Sequence, residues 1–197
     1  MPALQLRPGG LSMALTTFIV VTLFLVGARP AAAQDTERLW EALRAGTAFA
    51  MMRHALAPGT GDPANLTIGD CATQRNLSAE GRRQAAETGD RFRANGITQA
   101  RVYSSAWCRC RDTAELMRLG PVETLPPLNS FFRSFERREP QTDALKEWLA
   151  EQKPGGPLLL VTHQVNIRAL TGAYTRSGEI VVVRRKADGA MTVLGSL

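Results

Sequence analysis

Thr47-Ala48-Phe49-Ala50-Met51-Met52-Arg53-His54 and Leu158-Leu159-Leu160-Val161-Thr162-His163 decide how this chain folds. Each is a short apolar run of the length of one strand, with no polar alternation, and such runs suit strands buried on both faces of a parallel sheet. Each run closes on a histidine, and these are the only two histidines in the sequence. In open α/β sheets, ligands bind beyond the carboxyl ends of the strands, so two imidazoles at such ends can face one crevice. The plain alternative is a pair of unrelated, hydrogen-bonded histidines at strand ends.

Between and around these runs, helical and strand-like segments alternate. Asp35 to Arg44 reads as a helix capped by Asp35 and stopped by Gly46. A stretch rich in Gly, Pro, Asn, Asp and Thr follows the first histidine, from Ala55 to Asn76, and loops of that length are often functional. Ser78 caps a helix that ends near Asn95-Gly96. Val102-Tyr103-Ser104-Ser105 is a short strand that runs into a helix from about Trp107 to Arg118, and Val122 to Leu125 is another strand. Asn129 to Pro140 is charged and aromatic without periodicity, and Thr142 to Gln152 is helical with Ala144, Leu145, Trp148 and Leu149 on one face. A helix follows His163 with Val165, Ile167, Ala169 and Leu170 as its core positions. Glu179 to Arg184 and Ala190 to Leu194 flank a hairpin turn at Ala187-Asp188-Gly189. The alternation predicts an α/β three-layer sandwich, a mostly parallel central sheet flanked by helices, with a C-terminal antiparallel hairpin.

The first 33 residues read as a leader. Arg7 gives a short positive region, Leu11 to Ala28 is uncharged and mostly apolar, and Ala31-Ala32-Ala33 is a small-residue cleavage site. Cleavage after Ala33 leaves Gln34 to Leu197 as one domain and no stable membrane anchor; an uncleaved anchor is the alternative. Loss of Arg7 and Arg29 lowers the formal net charge from +6 to +4. The excess is mostly arginine, which suits bidentate recognition of phosphate or carboxylate, and no nucleic-acid motif accompanies it. Export, to the periplasm if the source is Gram-negative, agrees with the cysteines. Cys71 pairs with Cys108 or Cys110, leaving one thiol over, because Cys108 and Cys110 diverge on a helix. Cys-x-Cys is poor zinc spacing and no further ligands cluster near it, so neither a metal nor another cofactor is expected.

Four segments in order resemble the histidine phosphatase, or phosphoglycerate mutase-like, superfamily. They are Arg53-His54-Ala55; Leu77-Ser78-Ala79-Glu80-Gly81 followed by Gln84-Ala85; Ser104-Ser105 followed by Arg109 and Thr113-Ala114; and Leu160-Val161-Thr162-His163. The resemblance implies His54 as a nucleophile, with Arg53, Arg109 and His163 forming a phosphate pocket. The chemistry is coherent without the name, since a neutral imidazole can attack phosphorus and forked arginine donors can hold the equatorial oxygens. Catalysis by arginines alone implies a metal-independent phosphatase acting on phosphomonoesters or activated phosphates.

The pattern departs from the family in its general acid. Where many members carry a glutamate this chain reads Leu128-Asn129-Ser130, and where others carry an aspartate after the second histidine it has Gln164. Asp62 and Glu136 are the candidate proton donors, with Glu139 behind them. The compact chain is similar to the small members, among them the phosphohistidine phosphatases and the lipopolysaccharide core heptose phosphatases, and the exported setting favours the latter, which implies a phosphorylated small molecule or envelope sugar phosphate as partner. Two further readings are a degenerate member that binds phospho-ligands without turnover, and a basic module that contacts anionic lipid.

Overall fold

In the computed structural model, residues 31–153 and 155–197 are described, together with Ala3. The expected leader therefore lies outside the described residues, apart from Ala3 and the start of the first helix. That helix, α1, spans Ala31–Arg44. Asp35 is thus inside it rather than at its cap, and its carboxylate pairs with Arg38 at 3.3 Å along the exposed face. The alanines before it are strong helix formers, so the helix continues backwards past the sequence's first cap signal.

The sheet has six strands in the order β3-β2-β4-β1-β5-β6. They are β1 (Phe49–Arg53), β2 (Arg101–Ser104), β3 (Val122–Thr124), β4 (Leu158–Thr162), β5 (Ile180–Arg185) and β6 (Met191–Ser196). The first four are mutually parallel, while β5 runs antiparallel to β1 and pairs with β6 as the expected hairpin.

Strand residues alternate between two cores, as a period of two requires. Ala50, Met52, Leu159, Val161, Ile180 and Val182 face Leu39, Trp40, Leu43, Phe92 and Met117 of α1, α2 (Ala79–Ala94) and α3 (Cys108–Met117). Phe49, Met51, Leu158, Leu160, Val181 and Val183 face Leu145, Leu149, Ile167 and Leu170 of α4 (Arg138–Glu151) and α5 (Gln164–Thr171). Both faces of β1 and β4 are covered, which is why their sequences are continuous apolar runs.

Two further elements differ from the expectation. Helix α4 begins at Arg138, a turn before Thr142, because Pro140 is tolerated in a first turn, where its missing N–H has no intrahelical role. On α5, Ile167 and Leu170 are buried as expected, but Asn166 joins them while Val165 and Ala169 are half-buried and line a cleft. Among the described residues, no helix is long and apolar enough to cross a membrane.

Candidate active site

Parallel pairing of β1 with β4 aligns Arg53 with Thr162, so the next residues, His54 and His163, leave adjacent strands side by side. The His54 amide donates to Thr162 O at 2.9 Å, extending the ladder by one step. The two imidazoles meet edge to face with centroids 5.5 Å apart. Strand β2, on the other side of β4, ends at the same level, and its exit residue Ser105 donates its amide to Val161 O.

His54 is buried, and its Nδ1 lies 2.8 Å from the Ala55 carbonyl. A carbonyl only accepts, so Nδ1 carries the proton and Nε2 keeps a free lone pair. Burial lowers the His54 pKa to about 3; the Ala55 bond opposes this, and the charges of Arg109, Arg53 and Arg75 add to it. The ring is therefore a neutral imidazole at physiological pH. His163 is also held well below the usual imidazole range, first by burial and then by Arg109. Its Nε2 is 2.9 Å from Ser105 Oγ, and its Nδ1 faces Arg109 Nη2 at 3.4 Å. A guanidinium only donates, which puts the His163 proton on Nε2.

Arg53 donates through Nη1 to Thr175 O at 2.9 Å and to Gln164 Oε1 at 3.2 Å, so Gln164, which follows the second histidine, orients an arginine. Arg109, in the first turn of α3, is buried and grips Asp62 with two bonds of 2.5 and 3.1 Å. The Nε atoms of both arginines are buried without a hydrogen-bond partner, an uncommon state for so strong a donor.

A cleft of about 460 Å³ brings together Arg53, His54, Arg109 and His163, four residues drawn from the motifs. Asp62 lines it too. Burial pushes the Asp62 carboxyl up, but hydrogen bonds and charge from Arg109, with help from the Arg75 amide and Trp107 indole, hold it below the ordinary carboxylate value. It stands as an anion in this arrangement. Glu136 and Glu139 are exposed and outside the lining, so the fold does not bring them to the histidines. Among the described residues, no three His, Cys, Asp or Glu side chains converge as metal ligands do.

The motif residues between the strands brace this floor. Ser78 caps α2 through Gly81 N–H, and Gln84 accepts from the Leu56 amide and donates to Ser177 O. Gly81 passes so close to the loop that a Cβ there would lie 2.0 Å from Leu56 O. Thr113 Oγ1 accepts from the Ala55 amide, fixing the residue that orients His54. Asn129 Oδ1 accepts from the Ala106 amide at 2.8 Å and from Ser105 Oγ at 3.3 Å, so the residue found in place of an acid steadies the partner of His163.

Cys71 and Cys108 form the disulfide, which fastens the loop after β1 to the start of α3. Cys110 is the free thiol, buried and raised to about 12 by burial, with Sγ 3.4 Å from His163 Nε2. Arg75, Arg138, Arg168 and the aromatic trio Phe131, Phe132 and Phe135 also line the cleft. None of these stood out in the sequence, because they share no spacing and come from three separate segments.

Residues 50–143 match the family model of the histidine phosphatase superfamily (branch 1). No curated protein matches the sequence. Among solved structures, the protein histidine phosphatase SixA complexed with tungstate is 17% identical, with a TM-score of 0.54 over 76% of this chain and 96% of that one. A mycobacterial glucosyl-3-phosphoglycerate phosphatase complexed with VO3 is 16% identical, with a TM-score of 0.56 over 75% and 97%. YhfR of Bacillus stearothermophilus is 16% identical, with a TM-score of 0.54 over 74% and 94%. At these identities the structural likeness establishes the fold. The family model, matched over residues 50–143, carries the histidine phosphatase superfamily reading, and the solved structures add the fold.

Proposed function

We propose that this protein is an exported phosphatase that hydrolyses phosphomonoesters, or more activated phosphates, through a phosphohistidine on His54. The observation that carries the reading is the state of His54, a neutral ring with Nδ1–H tied to Ala55 O and Nε2 free, on a cleft shared with Arg53 and Arg109. The Nε2 lone pair attacks phosphorus as the bond to the leaving oxygen breaks, giving phosphohistidine and the released alcohol. Water then attacks the phosphoryl group, releasing inorganic phosphate and restoring the neutral ring. Charge on the equatorial oxygens is met by Arg53 and Arg109, whose buried Nε donors have no other partner. In this reading arginines supply the positive charge and the reaction is metal-independent.

The leaving oxygen needs a proton unless it departs from an activated phosphate. Asp62 is the carboxyl on the cleft, and Arg109 holds it charged. A phosphoryl group that takes over Arg109 displaces Asp62 and sets two anions side by side, which raises the carboxyl's pKa and turns it into a donor. If that exchange does not occur, the protein is the catalytically degenerate phospho-ligand binder, a reading that the Asp62–Arg109 pair itself favours.

Export with removal of residues 1–33 belongs to the same proposal, supported by the leader-like sequence and by a disulfide suited to an oxidising compartment. The partner is then a phosphorylated small molecule, with envelope sugar phosphates as the class that setting suggests. The test is hydrolysis of an aryl phosphate with and without chelator, beside His54→Ala, with mass spectrometry of quenched samples. We expect chelator-resistant turnover and a phosphoryl group on His54. Turnover that survives His54→Ala rules out the mechanism, and binding without turnover selects the degenerate reading.

A further inference from the structure

The segment with no period in the sequence, from Asn129 to Pro140, builds one wall of the cleft. Phe131 is buried beneath it and packs against Phe135 with centroids 6.2 Å apart, and Phe132 lies at the same separation from Phe135. Phe132 and Phe135 are 46% and 60% exposed, yet both line the cleft. A lone exposed apolar side chain means little, but an open aromatic pair on a concave site marks a surface that something covers.

Besides Arg75, whose guanidinium donates to the Gly61 and Ala57 carbonyls, two cations stand on the same lining. Arg138 opens α4 and Arg168 lies on α5, where its guanidinium carbon sits 4.4 Å over the Tyr174 ring. Among the described residues neither is in an ion pair. Asp62, the carboxylate of the lining, is already taken by Arg109. One phosphoryl group accounts for Arg53 and Arg109, and it leaves Arg138 and Arg168 without a counter-charge.

We propose that the cleft accepts a phosphomonoester whose organic half presents an apolar face to Phe132 and Phe135 and a second anionic group to Arg138 and Arg168. This inference rests on the phosphate-site reading above. The volume, about 460 Å³, lies in the range of small-molecule pockets and exceeds what a phosphoryl group alone would fill. An acyl or aryl substituent, or the apolar C–H face of a sugar ring, would cover the phenylalanines.

Three phosphonates that cannot be hydrolysed test this by calorimetry on the full chain: methylphosphonate, benzylphosphonate and 4-carboxybenzylphosphonate. We expect the benzyl group to tighten binding about fivefold over methyl, and the carboxylate to add about a further fivefold. Phe135→Ala collapses the first ratio, and Arg138→Gln with Arg168→Gln collapses the second. Ratios are read so that a general loss of affinity cancels. Equal affinities for the three probes, ratios unmoved by the substitutions, or no binding at all overturn the proposal. Ordered binding without hydrolysis of an aryl phosphate would remove the catalytic reading and leave the ligand class standing. Hydrolysis with flat affinities would do the reverse.

Discussion

Asp62 and Arg109 form a two-point ion pair at the floor of the cleft, 2.5 and 3.1 Å long, with side chains only 9% and 3% exposed. The carboxylate thus occupies the guanidinium to which the proposed reaction assigns the phosphoryl group. It reaches there from a loop with left-handed glycines at Gly59 and Gly61, at φ values that other residues rarely adopt. The Trp107 indole N–H and the Arg75 amide complete its shell.

Arg109→Ala leaves Asp62 buried and unpaired, and thermal or urea unfolding is expected to show a loss of about 3 kcal/mol. Asp62→Asn leaves the buried Arg109 guanidinium without a counter-charge and is expected to cost a similar amount. Losses below about 1 kcal/mol for both variants would show that the pair is not acting as a buried charge pair.

Leaving-group chemistry separates the roles of Asp62. Asp62→Asn is expected to lower kcat on an alkyl phosphate by about a hundredfold while changing an aryl phosphate far less, since the better leaving group needs no proton. A uniform effect on both substrates would remove Asp62 as the donor.

The depressed histidines make stability depend on acid. His54 is neutral when folded down to about pH 3, but in the unfolded chain it takes up a proton near the ordinary imidazole value of about 6.5. Its contribution is therefore complete above pH 6.5 and is lost as the pH falls from there toward 3. His163, shifted the same way, adds to the slope. The melting temperature is expected to fall steadily as the pH is lowered from about 6.5 to about 4, and His54→Asn should flatten the curve. Activity should persist below pH 6, because attack needs only the neutral ring.

Thiol titration should find one free cysteine after denaturation and almost none in the native protein, since Cys110 is buried and its thiol is pushed up to about 12. Cys71→Ser opens the Cys71–Cys108 link, which spans 37 residues, and is expected to cost about 3 kcal/mol. Three reactive thiols in the denatured, unreduced wild type would exclude the disulfide.

Gly81→Ala should destabilise by about 1–3 kcal/mol, because its Cβ would collide with the Leu56 carbonyl and push α2 off the loop that follows His54. A melting temperature unchanged from wild type would mean that the helix and loop can part without penalty.

Most of the architecture could be read along the chain because its signals are local. Continuous apolar runs at Phe49–Arg53 and Leu158–Thr162 mark strands buried on both faces, and Ser78 and Gly189 mark a helix start and a hairpin turn. The ends of the first and fourth helices were less legible. Alanines before Asp35 and a proline at residue 140 let each helix run past the nearest cap signal.

Local pattern also placed Arg53, His54 and His163 at strand ends, the motif resemblance singled out Arg109, and parallel pairing of β1 with β4 then set the two histidines side by side. It could not choose between Cys108 and Cys110, or between Asp62 and Glu136, because those choices depend on where a 22-residue loop folds back. Only the packed chain sets Asp62 on Arg109, leaves Glu136 in solvent, and gathers Phe132, Phe135, Arg138 and Arg168 on one rim. Distances between segments far apart in sequence are fixed by the packing of helices on both faces of the sheet, and no local period encodes them. The two histidines belong to the sequence; the company they keep belongs to the fold.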